Sequence, residues 1–221
     1  NGLNYDVIYI GDIIGSAESL VVKNNANVNS VSQLKGKKIA VPFASTSHYS
    51  LLNALKQAGL KESDVKLLDA AYVWYPVLNN LVKDGKILTG SDKLAKQGII
   101  TADLVVARRD FAKSNKNLVV RYIKALNQAN DLDQKNKEQS IKDISEILNI
   151  SESDAKFQRN GFEWIDGKKQ LSKEYLGENI ANVLKNTADF LKEQGSIKKS
   201  PTLKEYKDHV QTKYLKEALE K

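Results

Sequence analysis

The stretch AVPFASTSHYSLL at 40–52 concentrates the chemistry of this chain: Ser45, Thr46 and Ser47 follow one another, and His48 and Tyr49 come next. An apolar run ends at Phe43, and Leu51, Leu52 and Leu55 then recur at helical spacing, so the hydroxyls fall where a helix begins. A first helical turn presents backbone N–H groups at the positive end of the helix dipole. With hydroxyl donors beside them, these groups suit an anion. One hydroxyl is accounted for as the N-cap. Three in a row beside His48 and Tyr49 point to binding.

Other chemistries fit less well. His48 as a base for a neighbouring serine would make a hydrolase, but no G-x-S-x-G elbow is present. The second histidine, His209, lies in a charged helical stretch and is expected at the surface. Two distant histidines without H-x-x-x-H spacing, and no cysteine at all, leave no zinc pattern. GDIIG at 11–15 lacks the spacing of a dinucleotide loop and the lysine of a P-loop. Glu18 in GSAESLVV and Asp103 in TADLVV are acids at the start of apolar strand runs, where together they could hold a ligand cation. Trp74, in AYVWYP, reads as core packing or as the wall of a pocket.

These residues need elements to hold them. Strands are expected at 5–10, 19–23, 37–43, 86–90 and 102–110. A helix over 45–60 closes at Gly59. From Phe111 the pattern turns helical: 111–132 with an apolar face of Val119, Tyr122, Ile123 and Leu126, then 140–148, a capping sequence SESD at 151–154, 179–195 closed by Gly195, and 201–219 opened by Pro201. VKLLDAAYVWYPVL at 65–78 breaks the pattern, since it is about twice the usual strand length of roughly 5–6 residues. Two neighbouring parallel strands would need a crossover of about a dozen residues. The expectation is therefore a chain break between Leu68 and Ala70.

The 221 residues, 41% hydrophobic and 28% charged, exclude disordered and fibrous classes. No apolar run approaches the roughly 20 residues of a membrane-spanning helix. The net charge of +7 is spread through mixed-sign runs without an aromatic cluster, which argues against nucleic acid as a partner. A chain that starts at Asn1 and contains no methionine is expected to be processed or partial.

The strings SAESLVVK, LKGKKIAVPFASTSHYSLLNALKQAGL, AAYVWYPVLNNLVKDGKIL, TADLVVARRDFA and ADFLKEQGSI resemble the taurine-binding proteins of ABC importers, within the aliphatic sulfonate branch of the type II periplasmic binding proteins. The VPF-x-STSHYSLL string is specific to that group, whereas LKGKKIAV is widely shared. The resemblance implies an α/β fold of two lobes with a helical C-terminal half and a ligand cleft between the lobes. It implies 1–30 as the remnant of one lobe with a hinge strand, 31–107 as the other lobe with residues missing near 69–70, and 108–221 as a helical region returning to the first. No match exists for the βαβ region that precedes these strings in family members, so the N-terminal lobe is expected to be incomplete. Nor is there a match for a helix ending in G-D-I-D before A-Y-V-W.

The implied function is capture of taurine or a related alkanesulfonate and delivery to an ABC permease and its ATPase. The implied protein is a monomer without cofactor, metal or catalytic residues, periplasmic or lipid-anchored outside the cell membrane. Ser45, Thr46, His48 and Tyr49 would line the sulfonate end, Glu18 and Asp103 would take the ammonium, and Trp74 would be the site's aromatic. Thr46→Ala is expected to weaken binding while leaving folding unaltered. The alternative is an enzyme on the same scaffold, like the thiamine-pyrimidine precursor synthases.

Overall fold

The computed structural model describes residues 4–220, with the side chains of 66–69 outside the description. The chain divides into two units, which it enters and leaves at 13/14, 101/102, 149/150 and 163/164.

The unit formed by Ile14–Thr101 and Ile150–Glu163 is built on a four-stranded sheet in the order β3-β4-β2-β5. Its strands are β2 (Glu18–Lys23), β3 (Lys38–Ala40), β4 (Lys66–Trp74) and β5 (Gly85–Gly90). Its helices are α1 (Thr46–Gln57), α2 (Val77–Leu81), α3 (Ser91–Ala95) and α7 (Glu152–Asn160), followed by the two-residue strand β7 (Phe162–Glu163). β2 runs antiparallel to both β4 and β5, and β3 runs parallel to β4. Strand alternation sends Leu20, Val22, Ala70 and Tyr72 to one face, where they bury against Leu51 and Leu55 of α1. Val21 and Val73 point the other way, onto Leu78 of α2, with Phe157 of α7 beside them. α1 ends as expected, with Gly59 at φ +75° in the left-handed region that a glycine tolerates.

The long 65–78 segment departs from expectation. Lys66–Trp74 is one nine-residue strand where two parallel strands are expected. No crossover is needed, because the strand sits in the middle of the sheet and its two edges take different partners. Its irregularity lies in the register instead: Lys38 faces Lys66, but the next residue, Ile39, faces Ala70, so 67–69 form an outsized irregularity against β3.

The other unit holds the described residues up to Ile13, Ala102–Asn149 and those from Trp164 onward. β1 (Tyr5–Ile14) pairs antiparallel with β6 (Ala102–Arg108). Around them lie α4 (Arg109–Ser114), α5 (Lys116–Lys135), α6 (Lys137–Leu148), α8 (Gly167–Gln170), α9 (Asn179–Glu193), α10 (Leu203–Asp208) and α11 (Lys213–Leu219). Gln170, wholly buried, accepts from the Ile10 N–H at 2.8 Å and donates to the Ile10 carbonyl at 3.0 Å, tying α8 to β1.

Two helices expected as continuous are broken. Asn115 separates α4 from α5, its amide donating to the Phe111 carbonyl at 3.1 Å, a local bond that competes with helix continuation. Residues 209–211 separate α10 from α11 because their backbone pairs with β1: Val7 N–H donates to the His209 carbonyl at 2.8 Å, and Gln211 N–H to the Val7 carbonyl at 2.9 Å. His209 is therefore not a freely solvated residue: its Nδ1 lies 2.6 Å from the Tyr5 carbonyl oxygen. Val119 and Ile123 are buried as the helical spacing requires, but Tyr122 is exposed.

Candidate functional site

Glu18 opens β2, and the turn before it is clamped from α7. The Gly161 carbonyl accepts from the N–H groups of Gly15 and Ala17, both at 3.0 Å. A Cβ on Gly161 would stand 2.7 Å from the Ala17 nitrogen, so only glycine lets this carbonyl come so close. The result is a carboxylate only 4% exposed. Its Oε1 accepts from the Thr46 hydroxyl and its Oε2 from the Ser91 hydroxyl at 3.3 Å. Ser91 Oγ is in turn 3.1 Å from Ser50 Oγ and 3.2 Å from the Tyr72 phenol. Burial pushes the Tyr72 phenol upward, with the negative charge of Glu18 adding to it, so this ring stays a hydroxyl at neutral pH.

Thr46 reaches Glu18 from the first position of α1, which Ser45 caps: its Oγ accepts from the His48 N–H at 3.1 Å and donates to the Pro42 carbonyl at 2.6 Å. Ala44 precedes the cap with φ +56°, a conformation that costs a residue with a Cβ about 1–2 kcal/mol. His48 offsets that cost. The Ala44 N–H donates to its Nδ1 at 3.2 Å, its Nε2 lies 3.4 Å from Glu62 Oε1, and its ring packs on Phe43 at 5.3 Å. A ring nitrogen that accepts from backbone carries no proton, and the other faces Glu62, so His48 is placed as a brace for the turn. Ser47 is wholly buried, and its hydroxyl makes no hydrogen bond.

Trp74 lies directly opposite Glu18 in the β2–β4 register. Facing residues of an antiparallel pair share a face of the sheet. At 43% exposed it is not a core residue. Tyr49 is half-buried, and burial raises its phenol. This unit therefore gathers Glu18, Ser45, Thr46, His48, Tyr49 and Trp74 around the start of α1 and the neighbouring end of the sheet.

Asp103 belongs to the other unit, on β6. It is exposed and directly opposite Asp12 of β1. Burial first, and the charge of Asp103 second, push the Asp12 carboxyl up to about 7. Among the described residues no group of three or more acidic, histidine or cysteine side chains is placed to hold a metal ion.

Residues 3–140 match the family model described as NMT1/THI5 like. The chain belongs to that family. It is 32% identical over 214 residues to the taurine-binding periplasmic protein of Escherichia coli, an alignment covering 87% of this chain and 66% of that protein. It spans between half and two-thirds of the length of the curated relatives it matches. Among solved structures, the periplasmic aliphatic sulphonate binding protein SsuA from Escherichia coli superposes with a TM-score of 0.74 at 20% identity, covering 96% of this chain and 70% of that one. The desulfurization enzyme DSZB also superposes, with a TM-score of 0.69 at 14% identity, over 98% of this chain and 79% of the enzyme. The fold is that of periplasmic binding proteins. No helix among the described residues is long and apolar enough to cross a membrane.

Seen as a member of the NMT1/THI5-like family, the chain has participants that the sequence reading passed over. Ser91 carries a signal in retrospect: KILTGSD repeats the order of strand, small residues and helix start that marks PFASTS. Ser50 and Tyr72 carry none, since a helical serine and a strand tyrosine are ordinary packing residues. Asp12 lies beyond the strand expected at 5–10, whereas β1 runs through it to Ile14.

Proposed function

We propose that this chain is an extracytoplasmic solute-binding component that captures taurine or a related alkanesulfonate and hands it to an ABC permease and its ATPase at the membrane. The observation that carries this reading is a buried carboxylate, Glu18, hydrogen-bonded to Thr46 in the first turn of α1, which sets a cation acceptor beside an anion-friendly helix start. A zwitterion with a sulfonate at one end and an ammonium at the other matches that pairing, and exposed Trp74 offers its ring to the short alkyl link. Asp103 is assigned to the ammonium as well. The 32% identity to a taurine-binding periplasmic protein supports both the ligand class and the location.

The enzymatic alternative has less behind it. DSZB shares the fold, but a hydrolytic or group-transfer site needs a nucleophile with a base in reach. Here His48 is engaged with Ala44 and Glu62, and Ser45 with Pro42.

Calorimetric titration with taurine, ethanesulfonate and ethylammonium tests the reading. Taurine is expected to bind most tightly and ethylammonium weakest. Equal affinities for taurine and ethylammonium would remove the anion site, and turnover of any sulfonate would restore the enzyme.

A further inference from the structure

We propose that Ser91 and Tyr72 are positioning residues for Glu18: a chain of buried hydroxyls running from Tyr72 through Ser91 to the carboxylate fixes it for the ligand's ammonium, so that residues the ligand does not touch set the preference for an aminoalkanesulfonate over a plain alkanesulfonate. The proposal deepens the sulfonate reading and rests on it.

The groups involved all belong to one unit, and all are buried: Glu18 is 4% exposed, Ser50 and Ser91 are each 1% exposed, and Tyr72 is wholly enclosed. Counting protons gives the chain a direction. Ser91 Oγ has one proton and three neighbours: Glu18 Oε2 at 3.3 Å, Ser50 Oγ at 3.1 Å and the Tyr72 hydroxyl at 3.2 Å. Of these the carboxylate alone has no proton to give. The Ser91 proton therefore goes to Glu18, and the Ser91 oxygen accepts from Tyr72 and Ser50. Burial keeps the Tyr72 phenol protonated at neutral pH, so it remains a donor. Hydroxyls aligned in this way polarise one another and strengthen the bond at the charged end.

The backbone is shaped to bring Ser91 there. Ser91 opens α3 directly after Gly90, the last residue of β5, which faces Ser19 of β2. A Cβ on Gly90 would stand 2.8 Å from Ser19 Oγ and 3.2 Å from the Glu18 carbonyl oxygen, so glycine lets the start of α3 close on β2 beside Glu18. With Thr46 on Oε1 and Ser91 on Oε2, the carboxylate is held at both oxygens. Loss of the Ser91 donor leaves it free to turn about its own axis, and an ammonium must then order it on binding. A plain alkanesulfonate makes no demand on Glu18 and is indifferent to the change.

A double-mutant cycle tests this. Tyr72→Phe, Ser91→Ala and the double variant of the full chain are titrated calorimetrically with taurine and with ethanesulfonate, after circular dichroism has shown that they fold. Taurine affinity is expected to fall roughly three-fold to ten-fold in Tyr72→Phe and roughly ten-fold or more in Ser91→Ala, with ethanesulfonate binding unchanged. Adding Tyr72→Phe to Ser91→Ala should cost nothing further, because without Ser91 the phenol has no route to Glu18. Taurine affinity within about two-fold of wild type in either single variant would overturn the proposal. So would losses that add in the double variant, which would make the two hydroxyls independent, or equal losses for the two ligands, which would mean general damage. If wild type binds neither sulfonate, the functional reading falls by itself. The hydroxyl chain is then decided by carboxyl carbon-13 NMR of Glu18 in wild type and Tyr72→Phe, and the same measurement decides it if Ser91→Ala does not fold. A Glu18 resonance displaced by removal of a hydroxyl that does not touch it supports the chain; an unmoved resonance refutes it.

Discussion

Replacing Asp12 by asparagine should stabilise the unliganded protein, and by an amount that grows with pH. In the folded chain the carboxyl is pushed from its ordinary 3.8 up to about 7 by burial and by Asp103. A group whose folded pKa is raised is bound by its proton more tightly in the native state. It therefore costs nothing at a pH below its unfolded value, and native stability is lost progressively as pH rises through the folded one. The window runs from about pH 4 to about pH 7, and at about 1.36 kcal/mol per pH unit the full cost reaches about 4 kcal/mol. Asparagine keeps the shape and never charges, so the variant avoids this cost. Its own buried amide needs hydrogen-bond partners, which makes about 4 kcal/mol the ceiling of the gain. Urea denaturation of both proteins at half-unit steps from pH 4.5 to 8 reads the difference directly, and titrations elsewhere in the chain cancel in the subtraction. The difference should be near zero at the acid end, widen with pH and level off above about pH 7.5. A difference that stays constant across the range would show that Asp12 ionises normally, and the like-charge pair would lose its energetic basis.

Thr46→Ala should lower stability by about 1.5–3 kcal/mol, because buried Glu18 loses a charge-assisted donor; urea midpoints unchanged from wild type would contradict the observed bond. The fold-neutral substitution expected from sequence is thus replaced by one that costs both stability and taurine affinity. Gly161→Ala should destabilise by about 1–3 kcal/mol through overpacking, since its Cβ would meet the Ala17 backbone at 2.7 Å, and an unaltered melting temperature would argue against the clamp. His48→Ala should release Ala44 from its left-handed conformation, and amide exchange at 44–48 should quicken; exchange as slow as in wild type would mean that the turn holds without the ring. Tryptophan fluorescence should respond to saturating taurine through Trp74, and the response should disappear in Trp74→Phe.

What could be read in advance follows the range of the forces involved. Strand alternation and helical spacing are local, and they located β2, β5, β6 and α1 within a few residues. The helix start at 45–46 was legible because capping chemistry is written in adjacent residues, and Ser45 does accept from His48 N–H. The breaks at Asn115 and at 209–211 were hidden. The second is imposed by Val7, about two hundred residues away, whose backbone claims the groups that would have continued the helix. Lys66–Trp74 misled for a related reason, since length alone cannot tell a central strand with unlike neighbours from two strands in succession.

The site divides along the same line. A run of hydroxyls at a helix start is visible in the residue types, so the neighbourhood of α1 could be singled out as a candidate site. Which hydroxyl is held by the fold is a matter of distant partners. Thr46 and Glu18 were assigned opposite ends of one zwitterion, and each has the other as hydrogen-bond partner. That bond gives the anion end and the cation end a shared element: an ammonium that draws on Glu18 competes with the Thr46 hydroxyl, and a threonine so released can turn its proton toward the sulfonate. Coupling of this kind follows from one hydroxyl having one proton to donate. It implies that ethanesulfonate, which leaves the Thr46–Glu18 bond intact, should gain nothing from the hydroxyl. Thr46→Ala should then weaken taurine binding more than ethanesulfonate binding, and equal losses for the two ligands would show that the hydroxyl is an independent sulfonate donor.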